Sequence, residues 1–329
     1  MLKPNLLIIG TSKDIHIDYV VSNLSHEVGY CRFNIDQYPS MIDINFSFSS
    51  VSPANILIKQ AEDIYDLSSV KAVWFRRIGA PILDPQIQDK AHRSFASGEI
   101  EAAIHGLVYL LSEATWISKY ESTRRAASKL YQLKLAVECG LSIPTTTVTN
   151  SYSYAKQFID SHQQTLYKTL HSPSVIYEHG RSLIFSRLLN ADDLGYLDQV
   201  QYAPCQFQRY IDKAYELRIT FTGDTFHPVI LHSQEAPAGK IDWRAAGRNE
   251  ISYELSILPT AIEDKLRMLM DRLDLHYGAI DMIVTPDNEY IFLEVNPHGA
   301  YGWLERILNL SISKTFADYI SKVTLNPDS

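Results

Sequence analysis

Two strand-prone runs near the C-terminus constrain this chain most: Tyr277-Gly278-Ala279-Ile280-Asp281-Met282-Ile283-Val284 and Tyr290-Ile291-Phe292-Leu293-Glu294-Val295-Asn296-Pro297, joined by Thr285-Pro286-Asp287-Asn288-Glu289. Apolar alternation on both sides of a turn-prone pentapeptide predicts a β-hairpin. With Pro286 to Glu289 as a four-residue loop, Thr285 pairs with Tyr290, and four residues further along each strand Asp281 faces Glu294. Alternation then puts Ile280, Met282 and Val284 on a core face with Ile291, Leu293 and Val295, and Asn296 beside Glu294 on the other face. Directly opposed carboxylates, about 5 Å apart, repel unless a cation stands between them. Two carboxylates and an amide are the hard oxygen ligands that suit Mg²⁺, whose octahedron is completed by phosphate oxygens and water. Spacing alone leaves this level with its rival, a solvated hairpin whose two acids never meet.

At 329 residues the chain exceeds what one core usually organises, so two or three subdomains around a cleft are expected. Hydrophobic residues at 46% and charged residues at 21% leave no room for a large disordered fraction. A net charge of -8 with no Lys/Arg-dense block argues against duplex nucleic acid as a partner. The apolar run Leu6 to Ile9 is too short for a secretory segment or a membrane span, so a cytoplasmic protein without a membrane partner is expected. Cys31, Cys139 and Cys205 are odd in number and far apart, which favours reduced structural thiols over a zinc or redox site.

Along the chain, Leu6 to Ile9, Gly10 and the periodic stretch through Val20, Val21 and Leu24 predict strand, turn and helix. Val73 to Phe75 predicts a strand ending in Arg76 and Arg77, a pair that either meets an acidic peptide or is plain surface. Helix follows from about Asp89 to Leu111. No glycine-rich phosphate fingerprint follows either strand, so a dinucleotide fold is not supported. Near Trp116 the character changes, and the helical run carrying Leu130, Leu133 and Val137 stops at Gly140. Pro144 to Thr149, a helix near Tyr154 to Ser161, and Thr165 to Leu170 around Lys168 predict a small α+β lobe. His171 to Arg181 predicts a polar, mobile loop between strands. Strands follow at Ser182 to Leu188, Gln206 to Ile211, Glu216 to Thr222 and Pro228 to His232.

Asp281, followed thirteen residues later by Glu294-Val295-Asn296-Pro297, resembles the metal-binding end of the ATP-grasp fold. Gln208-Arg209-Tyr210-Ile211 and Glu216-Leu217-Arg218 resemble that family's adenine-binding hinge and the strand after it; Ser128-Lys129-Leu130 and Tyr167-Lys168 are similar to its two nucleotide-lysine segments. Within the superfamily, Arg124-Arg125 to Asn150, Phe207 to Gly223, Asp242-Trp243-Arg244 and Trp303-Leu304-Glu305 most resemble the microviridin-type peptide maturases, the graspetide macrocyclases. Arg32-Phe33-Asn34-Ile35-Asp36 and Trp74-Phe75-Arg76-Arg77 agree with their leading domain.

The resemblance implies an α/β (α+β) ATP-grasp fold with a leading pre-ATP-grasp domain (1–118), a central lobe (119–200) and a β-rich C-terminal lobe (201–329). It implies ATP and Mg²⁺, two ions, as cofactors, and a precursor peptide of leader and core as substrate, with a homodimer expected by analogy. A core Asp or Glu would be phosphorylated and then attacked by a Thr or Ser hydroxyl or a Lys amine. Asp281, Glu294 and Asn296 would hold the metal. Lys129 and Lys168 would bind phosphates, and the hinge Gln208, Arg209, Tyr210 and Ile211 would bind adenine. Glu216 would hold the ribose or else pair with Arg218, while Arg218 and Arg244 would neutralise the transferring phosphoryl group. Two positions depart from the pattern: Arg209 stands where an acid is usual, and Ala300 where a Gln is common. Competing readings are a RimK-like ligase adding glutamate or another amino acid, and a non-catalytic nucleotide-binding scaffold.

Overall fold

Four parallel strands open the chain, in the spatial order Tyr30–Asn34, Leu6–Gly10, Ala72–Phe75, Thr115–Ile117. They belong to a computed structural model that describes residues 1–326 apart from 78, 172, 173, 178 and 179, and the backbone alone of 174–177 and 181. Every residue of Leu6–Gly10 is buried, as expected of a parallel strand covered on both faces. The helix Lys90–Leu110, capped by the Asp89 carboxylate on His92 N–H at 3.0 Å, covers one face with Ile100, Ile104, Leu107 and Val108. On the other face lie Ile15–Val21 and the C-terminal helix Ile312–Leu325, whose Ile312, Phe316, Ala317 and Ile320 share one core with Leu6, Ile8, Trp74 and Tyr277.

An antiparallel meander, Ile42–Ser47, Asn55–Gln60 and Asp63–Asp66, inserts into this first unit. Next comes a small antiparallel sheet ordered Arg187–Leu188, Thr165–Lys168, Cys205–Arg209, Thr146–Thr149, backed by the helix Tyr152–Asp160. The stretch read as a loop, His171 to Arg181, lies partly outside the described residues; its described part includes Ser174–Tyr177, paired antiparallel with Gly180–Leu183, so strand replaces loop there.

The C-terminal sheet is antiparallel, ordered Tyr253–Leu255, Thr225–Leu231, Tyr215–Thr222, Tyr277–Val284, Tyr290–Asn296. Its core face packs on Leu266, Leu269 and Met270 of the helix Thr260–Leu273 and on Leu135 and Ala136 of the helix Lys129–Glu138. Gly140, at φ +75, ends that second helix; its Leu130 and Val137 face outward, and Leu133 is buried. Gly223 turns the chain between Thr222 and Thr225 at φ +71, and a Cβ there would lie 2.2 Å from the Tyr319 ring.

The acidic hairpin differs from the expected register in two ways that cancel. Val284, not Thr285, pairs with Tyr290, so the loop is the five residues Thr285 to Glu289, closed by Thr285 N–H on Glu289 C=O at 3.0 Å with Asn288 at φ 64. A β-bulge between Asp281 and Met282 then leaves Leu293 unpaired and restores Asp281 opposite Glu294. The core face is corrected accordingly. Phe292 is fully buried in the core with Val295, Ile280, Met282 and Val284, whereas Leu293 lines the cleft and Ile291 pairs with Ile283. Among the described residues no helix is long and apolar enough to cross a membrane. All three cysteines carry free thiols.

Candidate active site

Asp281 and Glu294 line one cleft together with Lys129, Lys168, Gln206, Gln208, Glu216, Asp242 and Arg244. Each acid already has a cation of its own. Arg218 Nη1 donates to both Asp281 oxygens at 3.0 and 2.9 Å, and Lys129 Nζ lies 3.1 Å from Glu294 Oε2 while donating to Thr169 C=O at 2.9 Å. The like-charge conflict of the register is thus met in part by the chain itself. Burial pushes the Asp281 carboxyl above its ordinary range; Arg218 opposes this and Glu294 adds to it. Burial also pushes Glu294 up, but Lys129 and Lys168 outweigh it and hold the carboxyl below its ordinary range. The Lys168 ammonium is pushed down by burial, against the pull of Glu294.

Among the described residues no cluster of three His, Cys, Asp or Glu side chains forms a ready-made metal cage. Two facing carboxylates with an amide two residues on do fit Mg²⁺, which uses few protein ligands and needs phosphate oxygens to complete its shell. Asn296 follows Glu294 on the same side of the strand but is exposed, and its Oδ1 accepts the His298 N–H at 2.9 Å. A second cavity adjoins this end of the cleft. Pro144, Leu166, Ile283 and Leu293 form an apolar patch against Gln208, Arg209, Tyr210 and Ile211, and Lys168, Gln208 and Glu216 join it to the charged end. Arg209 itself is exposed, and its N–H donates to Thr145 C=O.

Two readings that the sequence leaves open are decided. Glu216 does not pair with Arg218: Lys213 Nζ, three residues earlier, meets its Oε1 at 2.6 Å in a buried ion pair, and burial still raises the Glu216 carboxyl. Residues two apart on a strand share a face, but Asp281 lies directly opposite Arg218 across the sheet and takes the guanidinium. Arg76 is no surface residue, being 1% exposed, with its guanidinium 5.0 Å from the Tyr277 ring. Arg77 is half-buried, and both arginines pair with Asp14, at 3.3 and 2.9 Å.

Residues absent from the expected site also shape it. Asp242 caps the short turn Trp243–Ala245 through Arg244 N–H, accepts Ser186 N–H at 3.0 Å and grips Arg244 through Nε at 2.8 Å and Nη2 at 2.6 Å. Burial pushes its carboxyl up, but the Arg244 hydrogen bonds and charge outweigh this and bring it to about 2. Gln132, buried on the helix Lys129–Glu138, bonds both backbone groups of Val295. An Asp followed two residues later by Arg was a usable signal for the first; nothing local marks the second, because its partner is 163 residues away.

Residues 5–124 match the family model described as the MvdD pre-ATP grasp domain. No curated protein matches the chain. Among solved structures, a Chryseobacterium gregarium RiPP-associated ATP-grasp ligase, in complex with ADP and a leader and core peptide, is 31% identical, with a TM-score of 0.90 over 100% of this chain and 98% of that one. The macrocyclase MdnC of Microcystis aeruginosa MRC, bound with the precursor peptide MdnA, is 28% identical, with a TM-score of 0.84 over 99% of this chain and 100% of that one. The macrocyclase MdnB of the same organism is 26% identical, with a TM-score of 0.76 over 96% and 99%.

Proposed function

This chain belongs to the RiPP-associated ATP-grasp ligases, and on that premise we propose that it closes rings in a ribosomally made precursor peptide, joining side chains as esters or amides. The observation that carries the reading is the register that opposes Asp281 and Glu294 in a cleft also lined by Lys129, Lys168 and Arg244. A carboxylate approaching ATP crowds negative charge, and what accelerates such a reaction is a set of fixed cations aimed at the phosphates. A peptide Asp or Glu carboxylate takes the terminal phosphoryl group of ATP, releasing ADP. A Ser or Thr hydroxyl or a Lys amine then attacks the acyl carbon, and phosphate leaves.

Within this reading Lys129 and Lys168 hold phosphates, and Gln208, Arg209, Tyr210 and Ile211 receive adenine. Glu216, tied to Lys213, borders the ribose. Arg218 and Arg244 neutralise the transferring group. Asp281, Glu294 and Asn296 bind Mg²⁺, with two ions proposed; when bound, the metal offsets phosphate charge and orients the nucleotide. The domain division 1–118, 119–200 and 201–329, the cytoplasmic location, the lid role of 171–181 and a homodimer belong to the same proposal.

The test is mass spectrometry of a precursor peptide encoded beside this chain, after incubation with the protein, ATP and Mg²⁺. Loss of one water per ring is the expected result. ATP turnover on free amino acids with the peptide unchanged would instead favour the glutamate-adding reading, and nucleotide binding without any turnover the scaffold.

A further inference from the structure

We infer that the leading domain sets the position of the metal end of the cleft through Asp14, Arg76 and Arg77, which are positioning residues for the reaction proposed above and rest on that reading. Side chains of the leading domain meet backbone groups of the loop leaving Asn296, sharing Gly299 C=O with the Tyr277 hydroxyl of the C-terminal sheet. Arg76 Nη2 donates to Gly299 C=O at 3.3 Å and Arg77 Nη2 to His298 C=O at 3.4 Å. His16 Nε2 accepts both Tyr301 N–H and Gly302 N–H at 3.2 Å, closing the start of the helix Gly302–Leu308. With two N–H groups on Nε2, the His16 proton belongs on Nδ1, which lies 2.9 Å from Asp14 Oδ1. Asp14 therefore holds all three gripping side chains together, His16 by a hydrogen bond and Arg76 and Arg77 by ion pairing of Nε with its other oxygen.

On its far side the same loop presses on the site. Arg218 Nη2 donates to Ala300 C=O at 3.4 Å, and a Cβ at Gly299 would lie 2.8 Å from that nitrogen. Asn296 is tied to the loop through His298 N–H. Docking of the two domains needs none of this, because Trp74, Tyr277, Tyr301 and Phe316 already share an apolar core. A network that buries Asp14 to 5% and Arg76 to 1% exposure carries a desolvation cost that makes it a poor source of stability, so fixing geometry is the better account of it.

The test uses the full chain with Arg77→Ala, whose side chain is half-buried and least tied to folding, and Asp14→Asn. Calorimetric titration with ADP at a series of Mg²⁺ concentrations, and hydrogen exchange of the 298–302 amides without ligand, are the readouts. Expected are a rise of roughly 10- to 100-fold in the Mg²⁺ needed for ADP binding, unchanged ADP affinity without Mg²⁺, and faster exchange confined to that loop. Arg77→Lys recovers only part, since an ammonium cannot span Asp14 and His298 as the guanidinium fork does. Folded Arg77→Ala protein with wild-type Mg²⁺ dependence and wild-type exchange would overturn the inference. Wild-type protein whose ADP binding ignores Mg²⁺ would instead sink the proposed function itself. Should Asp14→Asn fail to fold, Arg77→Ala carries the decision alone.

Discussion

Gln132 holds Val295 by both backbone groups: its Oε1 accepts the Val295 N–H at 2.7 Å and its Nε2 donates to the Val295 C=O at 2.7 Å. Tyr290–Asn296 is an edge strand, so the outward backbone groups of Val295 have no strand to pair with and are satisfied by this amide instead. Val295 sits between Glu294 and Asn296. Gln132→Met keeps the volume and strands two buried backbone groups, at a cost of about 1–3 kcal/mol each. Urea unfolding checks the stability, and Mg²⁺-dependent ADP binding, expected to weaken in parallel, checks the site.

Arg218→Ala should lower single-turnover ring closure by roughly two to three orders of magnitude, the usual cost of removing one donor from a charge-stabilising site. It also leaves Asp281 without the guanidinium that donates to both of its oxygens. Wild-type rates in this variant would remove Arg218 from the chemistry.

Asp242 makes acid stability readable. Its carboxyl is depressed from 3.8 to about 2 in the folded chain, so the folded form binds fewer protons than the unfolded one. The stabilisation is complete above pH 4 and fades as pH falls toward 2. For a buried group this shift is worth about 2 kcal/mol. Asp242→Asn should therefore lose about that much at pH 7 and progressively less below pH 4, measured by urea unfolding at each pH.

Gly299 and Ala300 should respond in opposite ways to added side chains. A Cβ on Gly299 would lie 2.3 Å from Ala279 Cβ, so Gly299→Ala must displace the loop, at a cost of about 1–3 kcal/mol and with impaired turnover. Ala300 is exposed, and Ala300→Gln should change stability by no more than about 0.5 kcal/mol. Thermal unfolding of the pair distinguishes the two sites.

The hairpin separates what local sequence dictates from what only the fold assembles. Alternation locates both strands and the two facing acids, but the four-residue loop it suggests is one residue short and it carries no sign of the bulge at Leu293; the two shifts offset each other at Asp281 and reverse the faces of Phe292 and Leu293. A bulge changes hydrogen bonding without a composition mark. The helix boundaries at Asp89 and Gly140 were readable because caps are local. The alternative pairing of Glu216 with Arg218 fails because Lys213, in the turn before the strand, takes Glu216, and Asp281 meets Arg218 across the sheet. The meander of Ile42–Ser47 and Asn55–Gln60 is marked in the sequence only by the alternation of Ile42, Ile44 and Phe46. Long-range partners such as Gln132 with Val295, or His16 with Gly302, are assembled only by the fold.

The core that Trp74 shares with Phe316 and Tyr277 has a practical consequence for anyone grafting parts between related enzymes. The first strands are completed by the last helix, so a chimera that exchanges only the leading residues would import half of a jigsaw and strip the other half bare. A transplant that respects this packing must carry Ile312–Leu325 with it.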